Sequence, residues 1–206
     1  MTKIITYLTL FVCSLLTAQT NYETQMAKGL ALWSQEKNGD AVAIFEQLAT
    51  AEQDKWLPNY YIALIATLTS FETKDKEKAK SYLDLAQNAL DIELVKDAKN
   101  ADLLVVQGLI YTRTIMIDPM ANGMQYSGMA EQVYAKAKSI DPQNPRVLLC
   151  KAEFEMGAAQ YFGRDTTSLC QEISKTIPLF ENFVPKTPFH PTWGLEKAKQ
   201  IAANCK

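Results

Sequence analysis

Apolar side chains recur three or four residues apart along almost the whole chain from residue 22 onward, and this periodicity constrains the fold more than any other feature. It predicts helices over 22–36, 40–53, 58–72, 75–91, 100–116, 127–140, 145–158, 166–183 and 192–205. Turn-formers punctuate the runs: Asn38-Gly39-Asp40, Thr73-Lys74-Asp75 and Asp141-Pro142-Gln143-Asn144-Pro145. The last places Asn144 as an N-cap and Pro145 at the first helical position, where a missing N–H costs nothing. No run alternates with the period of two that a half-buried strand requires. Short turns between helices imply antiparallel hairpins, so the expected fold class is all-α, a tandem series of hairpins.

The first 18 residues stand outside that pattern. Lys3 and the amino terminus form a positive head, Ile4 to Leu16 is apolar apart from Thr and Ser, and Ala18 precedes a cleavage point at Gln19. This is the grammar of a secretory signal, and the apolar run is too short to span a membrane. The expectation is an exported chain, periplasmic or secreted, with 19–206 as its single mature domain and no membrane span within it. Basic and acidic side chains are nearly balanced, 21 against 23, which leaves no basic footprint for nucleic acid. The chain has one His, which rules out zinc sites built from several imidazoles.

Export changes how cysteines read, because disulfides persist in oxidising compartments. Cys170 lies near the start of one expected helix and Cys205 near the end of the last. If those helices pack antiparallel, the two thiols meet. The alternative is three buried thiols. Cys150, in the run Val147-Leu148-Leu149-Cys150, reads as a small buried hydrophobe.

Ala130, Tyr134, Ala137 and Pro142, preceded by Leu104, Gly108 and Tyr111, resemble a tetratricopeptide repeat. Gly29, Leu32, Ala41 and Phe45 resemble a second, and Ala79, Leu83 and Ala86 half of a third. There are two departures. Gln107 stands where the family has Leu, and Gly108 to Ala130 is ten residues longer than Gly29 to Ala41, which keeps the family spacing. The resemblance implies an α-solenoid of hairpins over 22–53, 58–91, 100–142 and 145–183, with an insertion at 113–128 and a capping helix at 192–205.

The resemblance also implies a concave groove lined by Met26, Trp33, Tyr61, Leu64, Phe71, Val105, Arg146 and Glu153, with Leu30, Leu68, Leu109, Thr112, Leu149 and Met156 as its further positions. Such a groove would receive a protein or peptide partner. The contrary reading is that a short solenoid closes and these residues are core. Within the insertion, Pro119 and Gly123 point to a loop over one rim of the groove. Its Met116, Met120 and Met124 supply soft ligands of the kind that hold Cu(I), or else fill gaps. A small-ligand or metal-binding protein using this insertion is therefore the alternative to a partner-binding scaffold.

The segment 184–194, with Pro185, Pro188, Pro191, Phe189, His190 and Trp193, reads as an extended strap packed on the terminal hairpin. The last helix is expected to start at Pro191-Thr192. Tyr161 to Asp165 reads as a turn with Asp165 capping the next helix. His190 is the one imidazole available for proton transfer, and no third group is visible in the sequence to orient it. No phosphate loop, nucleophile elbow or zinc spacing occurs. The sequence therefore points to a non-catalytic binding protein without a cofactor.

Overall fold

A computed structural model describes residues 21–205; the segment 1–18 lies outside the described residues. Within them the chain is all helix and turn, without a strand. The helices are α1 (21–34), then α2 (Asn38–Ala51), α3 (Leu57–Glu72), α4 (Lys76–Lys96) and α5 (Ala101–Ile117). They continue with α6 (Pro119–Ile140), α7 (Pro145–Tyr161), α8 (Thr167–Glu181) and α9 (Leu195–Asn204). Successive helices pack on one another, and α3, α5 and α7 also touch in series, so the hairpins stack in tandem with α9 closing the end against α8.

The helix starts are written locally. Asp75 accepts from the N–H groups of Glu77 and Lys78, Asn100 from those of Asp102 and Leu103, and Asn144 from that of Arg146. Each satisfies donors that the first turn of a helix leaves without an intrahelical partner. α3 is buried along nearly its whole length, whereas α4 and α6 bury one stripe each, Ala79, Leu83 and Ala86 in one and Ala130, Tyr134 and Ala137 in the other. α3 is thus the sandwiched element, and the narrow stripes of Ala let its neighbours approach closely. Gln107 is buried without penalty because its amide pairs reciprocally with that of Gln87, both bonds at 2.9 Å.

The closest approaches use glycine. A Cβ on Gly29 would lie 2.6 Å from the Phe45 ring, and one on Gly108 would run into the Tyr134 ring. Tyr134 is fully enclosed and has nowhere to retreat. Gly108→Ala is therefore expected to destabilise: overpacking costs about 1–3 kcal/mol, against at most about 1 kcal/mol returned by helix propensity. A methyl group on Gly157, in α7, would have nothing within 4 Å, so Gly157→Ala should show the propensity gain alone. Urea midpoints that rise for both variants would refute the close-packing account.

Two sequence expectations need correction. The insertion 113–128 is not a loop: α5 runs to Ile117 and α6 begins at Pro119, so the extra residues lengthen both helices of that hairpin. Asp118 caps α6 by accepting from the Ala121 N–H, and Pro119 occupies the first helical turn, where proline promotes a helix rather than breaking it. The last helix starts at Leu195 rather than at residue 192. Gly194 precedes it at φ 116°, and a Cβ there would also meet the Phe180 ring at 2.6 Å, so only glycine fits.

Candidate functional site

The strap 184–194 is not confined to the terminal hairpin. It runs back across the first turns of α3, α5 and α7. The Tyr61 hydroxyl donates to the Phe189 carbonyl at 2.8 Å, and the Trp193 indole N–H donates to the Tyr60 hydroxyl at 2.7 Å. Beneath it lies a buried polar cluster. Arg146 Nε donates to Asp102 Oδ1 at 2.8 Å, and His190 Nε2 stands 3.3 Å from Asp102 Oδ2. Arg146 is fully buried, its guanidinium 4.5 Å from the centre of the Phe183 ring, and both Nη atoms lack a hydrogen-bond partner. Burial alone would raise the Asp102 carboxyl, but the His190 hydrogen bond and the Arg146 charge outweigh it and hold the group down at about 2.

The strap and this cluster decide what becomes of the groove positions. Met26, Tyr61, Leu64, Val105 and Arg146 are all buried in the core, not displayed on an open face. Trp33 is half-buried, its ring 5.9 Å from that of Tyr61. Phe71 and Glu153, by contrast, line an open cavity of about 620 Å³, together with Leu109 and Thr112.

This cavity lies mainly between the C-terminal halves of α5 and α7 and the N-terminal half of α6, with Phe71 from the end of α3, Tyr134 from farther along α6 and Cys150 from earlier in α7. The lengthened hairpin supplies Ile115, Met116, Pro119, Gly123 and Met124, while α7 and the turn after it supply Phe154, Gly157, Ala158, Tyr161 and Phe162. The rim is apolar and open to solvent: Met124 is 94% exposed, Tyr161 70% and Phe162 64%. Met120 is as exposed as Met124 but stands outside the lining, so the three thioethers do not share one wall. Among the described residues, no group of three or more His, Cys, Asp or Glu side chains could hold a metal ion.

Few polar groups face this space. The Tyr134 hydroxyl is buried next to that of Thr112, and burial raises its pKa well above the ordinary tyrosine value. Burial likewise raises the Cys150 thiol, which is free, and the Glu153 carboxyl, against the opposing charge of Lys197 at 3.6 Å. These shifts share one physical cause, an environment poor in water. Two cations stand beside lining rings: the Arg113 guanidinium 5.5 Å from the centre of Phe71, and that of Arg164 5.2 Å from Phe162. A cavity within the roughly 300–1,000 Å³ range of small-molecule sites, apolar with a few polar groups, can enclose a flat hydrophobic ligand.

Sequence reasoning missed Phe154, Ala158, Tyr161 and Phe162. The available signal was the adjacent pair Tyr161-Phe162, two large aromatics at a turn that would otherwise be polar. Asp165, read as a helix cap, instead accepts from the Thr167 hydroxyl at 2.8 Å. At the far end, Cys170 and Cys205 are joined by a disulfide that ties α8 to the residue after α9.

No helix among the described residues is long and apolar enough to cross a membrane. No family model matches the chain, and no curated protein matches it. Among solved structures, the fold is similar to that of the HusA haemophore from Porphyromonas gingivalis, with a TM-score of 0.77 and 19% identity, over 89% of this chain and 92% of that one. At that identity the likeness is one of fold.

Proposed function

We propose that this is an exported, non-catalytic protein that binds a flat, largely apolar ligand of the porphyrin class in the α5–α6–α7 cavity. The observation that carries the reading is the cavity itself, about 620 Å³ with an exposed rim of Met124, Tyr161 and Phe162 and few polar groups within, the Tyr134 and Thr112 hydroxyls among them. Its walls bury apolar ring surface, and Arg113 and Arg164 offer positive charge to acidic substituents. The fold's likeness to a haemophore supports the same ligand class. Export is supported by the signal-like first 18 residues and by the disulfide. The close Gly–aromatic contacts at Gly29 and Gly108 also support reading the hairpins as divergent tetratricopeptide-type repeats. A partner-binding groove has less support, because most of its positions are core.

Haem titrated into the purified protein, followed by the shift of its Soret band, tests this. Saturable one-to-one binding is expected. Gly157→Trp should weaken it by at least roughly tenfold, because residue 157 lines the cavity and its side-chain position is empty. Unchanged binding by a folded Gly157→Trp protein would remove the cavity from the account.

A further inference from the structure

A second cavity, of about 590 Å³, lies between the start of α1, the turn from α2 to α3 and the strap. Its walls include three half-buried aromatics, Tyr22, Trp56 and Phe189. The Tyr22 and Phe189 rings meet edge to face, 6.2 Å apart at 83°, so the walls are set by packing rather than left loose. Glu23, Glu52 and Asp54 also line it, against a single ammonium, Lys55, which is already 3.3 Å from Asp54.

Apart from Lys55, these features carry one sign. Aromatic faces are negative by their quadrupole, and a cation over them is attracted, more so when it is weakly hydrated. The Tyr22 hydroxyl reports the same field: burial first, then the Glu52 and Asp54 carboxylates, push its pKa up to about 12. A small inorganic cation would need convergent oxygen ligands, and no such group occurs among the described residues. A cation coated in methyl groups needs only apolar walls and a negative potential, which this cavity has.

We propose that the Tyr22–Trp56–Phe189 cavity binds a small quaternary ammonium compound, its charge met by Glu52 and Asp54. The free cation is the occupant, not a phosphocholine headgroup, since a phosphate would sit against the same carboxylates. This site is separate from the α5–α6–α7 cavity and does not depend on what that one holds.

Calorimetric titration of the purified chain with choline tests the proposal, alongside two comparison compounds: the neutral isostere with carbon in place of the quaternary nitrogen, and phosphocholine. Choline should bind, and both comparison compounds should bind at least about tenfold more weakly. Glu52→Gln and Asp54→Asn keep shape while removing charge, the first at a half-buried position and the second at an exposed one. Together they should weaken choline by about threefold to tenfold with an unchanged urea midpoint. Haem binding should be the same in this variant, which separates failure of this site from failure of the other. Absence of binding at millimolar choline, an equally tight neutral isostere, or a preference for phosphocholine would each overturn the proposal.

Discussion

Asp102→Ala is expected to lower the unfolding free energy by about 3–5 kcal/mol, the range for breaking a buried ion pair by removing one partner. Arg146 is fully buried, and the Asp102 carboxylate is its one ion-pair partner among the described residues. With both Nη atoms already unpartnered, loss of the carboxylate strands the charge. Asp102 also accepts from the Asn144 amide at 3.3 Å and meets His190, so the same change loosens the α7 cap and the strap together. Urea unfolding measures it, and a loss below about 1 kcal/mol would show that the guanidinium finds other partners. Replacing both members by apolar residues of similar size should cost less than the single change.

The same carboxyl makes a pH prediction. Its pKa is about 2 in the folded chain, against about 3.9 when unfolded. A depressed folded value means the stabilisation is fully present above the unfolded pKa and is lost as pH falls toward the folded one. Between about pH 4 and pH 2 the wild type should therefore lose about 2 kcal/mol that Asp102→Asn, already weaker at neutral pH, does not lose. Parallel slopes for the two proteins across that window would count against the ion pair.

Replacing both Cys170 and Cys205 by Ser should cost about 3–4 kcal/mol on the chain-entropy account of a loop this long, the cysteines being 35 residues apart. The local structure makes the dependence sharper. α9 has ten residues and fully buries only Ala198, so neither its length nor its packing holds it well alone. Its release would also free Lys197 from Glu153 at the edge of the α5–α6–α7 cavity. Chemical denaturation gives the total. Hydrogen exchange should show α9 amides losing protection first, while α3 and α5 stay protected. An unchanged midpoint with α9 still protected would mean that side-chain packing alone secures the end of the stack.

Much of the helical layout is legible in the order of residues. The caps at Asp75, Asn100 and Asn144 act within three residues of themselves, and the turn signal at Thr73-Lys74 falls where α3 ends, whereas Asn38 and Gly39 open α2 and the turn before it is 35–37. Pro119 and Gly123 mislead, because both are tolerated at or near a helix start that Asp118 caps. The site is legible in pieces. Phe71 and Glu153 belong to the groove positions, and Met116 and Met124 to the insertion, yet nothing local says that they share one cavity.

By itself, then, the sequence determined an all-α chain of tandem hairpins with a signal-like segment before it, because helical periodicity, capping and turn chemistry are properties of neighbouring residues. Tertiary structure alone decided which faces stay open. The bond from Tyr61 to Phe189 joins residues 128 apart, and that from Trp193 to Tyr60 joins residues 133 apart. Those contacts lay the strap over the starts of α3, α5 and α7 and bury Tyr61 and Arg146, which a local reading assigns to a groove. The α5–α6–α7 cavity opens at the other ends of α5 and α7, where the longer hairpin extends. Which positions are covered and which stay open depends on packing between distant segments, which no periodicity encodes.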